Sequence, residues 1–237
     1  MNCFMTPLLI PISMIVGAAF GVSQVGGSIA EVAEVFSEIT TFLKAEEFMI
    51  FSIVLIGAAM MALVFFLSSS CTAISREGSQ FNILKSYPIA MEKQLLGKTF
   101  VNLFIFSIFT LIAATIAAIL FNFLYQNVVM AIVLFILIIV ISEIVVFSST
   151  LTTIAIDGIK PKLIWTTEQE AVKQNYFVLI TLVIGIALLV IIGFSFAFLP
   201  FISLINGCII IIGYLAFLPF SWFFYKKSIT ALCQKDI

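Results

Sequence analysis

The fold this sequence predicts is all-α: a polytopic membrane protein of six transmembrane helices, with both N and C termini cytoplasmic. Three observations carry that expectation. Six apolar stretches, at about 3–22, 48–67, 99–124, 128–147, 176–199 and 201–225, each supply the ~20 residues that cross a ~30 Å hydrocarbon core. The composition leaves little surface for water, with 63% of residues hydrophobic, 10% charged and a mean hydropathy of +1.28. The 11 Lys and Arg residues are also strongly one-sided. Arg76, Lys85, Lys93 and Lys98 follow the second stretch, Lys160, Lys162 and Lys173 follow the fourth, and Lys226, Lys227 and Lys235 close the chain. Lys44 stands alone on the other side. Basic residues in short loops are retained in the cytoplasm, so the termini and the two basic connectors are assigned there, in a cell (plasma) membrane crossed several times.

The same composition excludes several functions. A net charge of −1 with no basic face argues against nucleic acid. The chain has no His, and Cys3, Cys71, Cys208 and Cys233 show no paired spacing, so no metal site, cofactor or catalytic residue is expected. The four thiols read as apolar fillers.

Taken in order, the first stretch is too long for a signal peptide, lacks a basic start and contains Pro7 and Pro11, so it reads as a span. Gly17 and Gly21 form a GxxxG pair on one helix face, a candidate contact for another helix. The outer segment 28–44 is amphipathic. Ile29, Val32, Phe36, Ile39 and Leu43 alternate spacings of three and four, while Glu31, Glu34 and Glu38 repeat on the opposite face and Ser28 can cap the start. Such a helix lies on the outer surface, as a lid with a solvated acidic face or as a vestibule that collects cations. The other outer connections, Tyr125-Gln126-Asn127 and the turn at Pro200, are too short for a soluble site and make their flanking spans antiparallel neighbours.

Function is therefore expected in the bundle or in the cytoplasmic loops, 75–98 and 157–175. In the first loop, punctuated by Gly78 and Pro88, Phe81, Leu84 and Lys85 fall within about one helical turn and would present an aromatic, an aliphatic and a cation together. That suits docking of a cytoplasmic partner; the plainer alternative is a short helix resting its apolar residues on the bilayer. Gly97-Lys98-Thr99 imitates the end of a phosphate-binding loop, but Glu92 stands where the first Gly is needed and no strand precedes it. In the second loop Thr166 or Thr167 can cap a helix whose first turn holds Glu168 and Glu170, with Gln169 and Lys173 four apart, and Trp165 with Pro161 reads as an interfacial anchor.

The strings AISREGSQFNILKSYPIAMEKQLLGK (73–98) and KPKLIWTTEQEAVKQN (160–175), set at this separation between apolar spans, resemble the cytoplasmic loops of ABC-type export permeases of Gram-positive bacteria, type 2 fold. The resemblance covers about 48–225. It implies a permease subunit with no enzymatic activity of its own, partnered by a separate ATP-binding-cassette ATPase and by a second permease half or a homodimer. It also implies that Glu77, Phe81, Leu84 and Lys85 face the ATPase. The residues Trp165, Glu168, Glu170 and Lys173 of the second string receive no role from it. Such permeases carry further spans before the matched region, so the chain is expected to be a six-span half that dimerises or the C-terminal part of a longer permease.

Glu143 is the ionisable residue inside a span, about 22 Å along the fourth stretch from its outer end. An intramembrane carboxylate costs roughly 2.5–3.5 kcal/mol on insertion scales, so it faces the bundle interior, snorkels to the interface or bonds a neighbour such as Ser142. A proton- or cation-coupled secondary transporter would use it directly. That is the alternative from another class, beside a membrane scaffold or immunity protein that transports nothing.

Overall fold

The structure, a computed structural model, describes residues 45–167, 170, 176–198 and 203–234, with backbone alone for Ser68, Asn82, Leu84, Lys85, 193–198, Ser203, Leu204 and Cys233. The expected first span with Gly17 and Gly21, the segment 28–44 and the turn at Pro200 lie outside the described residues, as do Glu168 and Lys173.

Every regular element among the described residues is helical: α1 (Ala45–Phe66), α2 (Ser68–Cys71), a 3-10 turn (Ser75–Gln80), α3 (Phe81–Ser86), α4 (Met91–Tyr125), α5 (Val128–Ile159), α6 (Tyr176–Phe198) and α7 (Ser203–Gln234). Four of them, α1, α4, α5 and the Ile205–Leu232 part of α7, are long and apolar enough to cross a membrane; α6 is apolar over the shorter Tyr176–Ile192. The chain is a helical membrane protein.

α5 is the hub, packed along α7, α4 and α1, and α6 packs mainly against α1. The middle of the bundle buries Ile53, Met61, Phe65, Leu134, Ile138, Val145 and Tyr214 together. Large apolar residues on the outer faces of α4, α6 and α7, among them Phe104, Phe123, Ile191 and Phe223, are exposed, as lipid-facing residues must be. Gly57 lets α7 approach α1: a Cβ there would stand 2.8 Å from the Tyr214 ring, whose hydroxyl donates to the Val54 carbonyl at 3.1 Å.

The expected short turn between antiparallel neighbours is present. Gln126 takes a left-handed conformation (φ 50°) and closes α4 with its N–H on the Asn122 carbonyl. The Asn127 side chain then accepts from the Met130 N–H at 3.1 Å, capping α5.

At the opposite end, which carries the basic loops, the helices run beyond the stretches read from hydropathy. α4 starts at Met91 rather than 99, so the last part of the expected loop 75–98 is helix, and α5 continues to Ile159 rather than stopping at 147. Hydroxyls of the added turns of α5 spend their protons on their own helix: Ser148 donates to the Ile144 carbonyl (2.7 Å), Thr150 to Val146 (2.8 Å) and Thr152 to Ser148 (2.9 Å). A run that hydropathy scores as polar is thus compatible with buried helix. These overhanging turns enclose a second core, in which Ala73, Ile74, Phe81, Met91, Leu95, Leu151, Ile154, Tyr225 and Ile229 pack together.

Candidate functional site

The site lies at the basic end, where the two polar loops meet. Its centre is Asp157, fully buried in the last turn of α5. A carboxylate there opposes its own helix dipole, whose negative end it occupies. The first loop supplies compensation: the Ile74 and Ser75 N–H groups donate to Asp157 Oδ2 at 2.7 and 2.9 Å, and the Ser75 hydroxyl donates to Oδ1. Those two amides open the 3-10 turn, so Asp157 caps from across the fold a turn that its own N-cap residue, Ile74, does not cap through its side chain.

Ser75 is bonded from a third direction. Its Oγ accepts from the Lys162 N–H at 3.0 Å, and its carbonyl accepts from the Trp165 indole N–H at 2.9 Å. The Trp165 ring covers Gly78, which has φ +54°; a Cβ at that position would be 2.8 Å from the ring. Glycine is thus required there twice, by the backbone and by the space. Lys98, on the first turns of α4, donates to the Ala73 carbonyl at 2.8 Å and pairs with Glu77. The end of α7 is tied in as well, since the Tyr225 hydroxyl donates to the Glu92 carbonyl at 2.8 Å and that of Ser228 to the Ala155 carbonyl at 2.6 Å.

This geometry revises several expectations. Phe81 is 1% exposed and sits inside the basic-end core, because the overhanging turns of α4, α5 and α7 form a pocket for its ring. It does not stand on the outer face with a partner. Glu77 is half-buried against Lys98; the side chains of Leu84 and Lys85 lie outside the description. Trp165, expected as an interfacial anchor, is bonded to the first loop. Lys98, which ends the phosphate-loop look-alike, lies inside α4 and bonds the Ala73 carbonyl.

The helix that Thr166 or Thr167 is expected to cap falls largely outside the described residues. Glu170 reaches back to the N–H (2.9 Å) and hydroxyl (3.2 Å) of Thr166, and its own N–H donates to the Thr167 carbonyl at 2.9 Å. The bond from the Thr166 amide holds this carboxyl below its usual range. Cys71, beside the clasp, is buried, and burial pushes its thiol up to about 11.

Glu143 is half-buried in α5 and faces Ser107 and Thr110 of α4, two hydroxyls that also reach their own helix carbonyls at 2.9 and 3.1 Å. The expected neighbour Ser142 is not its partner. That hydroxyl is buried on another face and, like those of Ser70 and Ser149, meets no partner among the described residues.

Asp157 and Ser75 are the residues that sequence reasoning passed over. A signal existed for Asp157, because an acidic residue ahead of Gly158 at a helix C-terminus is unfavourable unless something else holds it. Ser75, by contrast, looks like any loop serine. Comparison with known protein families, characterised proteins and solved structures finds no match to this chain.

Proposed function

We propose that this chain is the membrane-spanning permease subunit of an ATP-driven exporter of the ATP-binding-cassette class, with six spans, cytoplasmic termini and a place in the plasma membrane. Hydrolysis belongs to a separate ATPase, and a second permease half, or a second copy of this chain, completes the pathway. The observation that carries the reading is the Asp157 clasp. Both basic loops are bonded to each other and to the last turn of α5, the helix around which the bundle is organised. A displacement imposed on the first loop by a closing ATPase would therefore reach the centre of the bundle without slack. The one-sided basic residues and the resemblance of 73–98 and 160–175 to export-permease loops support the same orientation and partner.

Purification of the chain from native membranes is expected to recover an ATP-binding-cassette ATPase in stoichiometric amount; a preparation that transports without one would overturn the reading. Labelling from outside should modify a cysteine placed at Glu34 and spare one placed at Lys160.

A second reading, a proton-coupled carrier, draws on Glu143 facing Ser107 and Thr110 inside the bundle. Glu143→Gln separates the two. In an ATP-driven exporter it removes an insertion penalty of roughly 2.5–3.5 kcal/mol and leaves transport largely intact, whereas in a carrier it abolishes dependence on the proton gradient.

A further inference from the structure

Near its basic end α7 sets lysines over aromatics. Trp222 and Lys226 are four apart, as are Phe223 and Lys227, so on two neighbouring faces an ammonium stands one turn beyond a ring. All four side chains are exposed, and so is Phe220, which stacks on Phe224 at 6.4 Å. The Lys226 ammonium lies over the Trp222 ring, 5.2 Å from its centre, and is held there by cation–π attraction.

α4 repeats the pattern beside it. Lys226 pairs with Glu92 at 3.9 Å, longer than a hydrogen bond, and the Tyr225 hydroxyl donates to the Glu92 carbonyl, so the first turn of α4 is held level with 225–226 of α7. Lys93 is exposed there, and Phe100 and Phe104, on the same helix face, are exposed as well. Three ammonium groups stand here against one carboxylate. Their depth selects the partner. From Ile205 to Tyr225 α7 carries no charge and rises about 30 Å at ~1.5 Å per residue, the thickness of a hydrocarbon core. Lys226 and Lys227 therefore come level with the headgroups, while Phe220 and Phe223 lie against acyl chains. A zwitterionic headgroup brings its own cation and gains little from lysines; an anionic phospholipid brings a phosphodiester without one.

We infer that Lys226 and Lys227 of α7, with Lys93 of α4, form a site for one anionic phospholipid in the leaflet at the basic end. The phosphodiester bridges the two helices, and the acyl chains lie along the exposed aromatics. Trp222 fixes Lys226 in advance, which lowers the cost of ordering it on binding. Glu92 is the built-in competitor, holding Lys226 at long range until the phosphate takes its place. The site does not depend on the exporter reading.

Native mass spectrometry of the full-length chain in detergent, mixed with phosphatidylglycerol and phosphatidylcholine of equal chain length, tests the site. One phosphatidylglycerol per chain should stay bound under conditions that strip phosphatidylcholine. Lys226→Gln combined with Lys227→Gln should weaken its retention by about 25-fold, at roughly fivefold per lysine near a headgroup. Glu92→Gln should strengthen retention by about fivefold, a gain that a damaged fold cannot produce. Lys160→Gln combined with Lys162→Gln removes the same charge elsewhere at the basic end and should leave retention unchanged. Equal loss in that control would show that the lipid reads only the net charge of this end, and would overturn the site. So would equal retention of the two lipids by the wild type, or a Glu92→Gln chain that binds no more tightly. Displacement of phosphatidylglycerol by excess inorganic phosphate would assign the lysines to a soluble anion and overturn the lipid.

Discussion

In the middle of the bundle, α1 meets α5 and α7 through Ile53, Met61, Leu134 and Ile138, and Tyr214–Val54 is a rare directional bond. At the basic end the same helices are joined to the loops by a carboxylate with three donors, an indole bonded to a carbonyl, and a glycine with positive φ under an aromatic ring. The difference follows from the surroundings. Between apolar helices in lipid, one aliphatic contact substitutes for another at little cost, because the alternative neighbour is itself a hydrocarbon. Where the helices run past their apolar stretches, a buried carboxylate has to be matched by donors, and each donor it loses is left unsatisfied.

The largest expected effect is at the centre of the clasp. Asp157→Ala strands two buried N–H groups and a hydroxyl, at about 1–3 kcal/mol each. Thermal unfolding in detergent should show a loss of several kcal/mol. A mid-bundle trim, Ile138→Val, should cost only ~0.5–1.5 kcal/mol. Equal losses would erase the contrast between the two regions.

Two glycine substitutions sharpen it further. Gly78→Ala strains the left-handed backbone and strikes Trp165, at a cost of about 1–3 kcal/mol. Gly97→Ala is the same change on α4, where a Cβ meets nothing within 4 Å, and should stabilise by roughly 0.5–1 kcal/mol. Unfolding midpoints shifted in opposite directions are expected, and shifts of one sign would count against the clasp.

Glu170→Gln should have the smallest effect, since this carboxylate lies at the surface, where solvent screens its interactions. Its folded pKa is lowered, so its contribution is present above the ordinary Glu value and is lost as pH falls through the lowered one. The wild type should therefore lose its small advantage over the variant in acid, as a titration of unfolding midpoints would show.

Trp165 and Asp157 also show how far the chain could be read before its contacts were known. Helical class, membrane insertion and the tight connection at Tyr125-Gln126-Asn127 all follow from hydropathy and from bonds between residues two to four apart. Local composition is enough for these, because lipid demands apolar helices and a helix end demands a nearby acceptor. Phe81 and Trp165 were legible as side chains needing a surface, though not as to which one. The pocket for Phe81 exists because three helices overrun their apolar stretches, and Trp165 finds Ser75 across 90 positions of sequence. Asp157 reaches the same loop across 82 and 83 positions. Whether a polar group is buried and paired depends on what the chain brings to it from such distances, and no local sum of propensities contains that term.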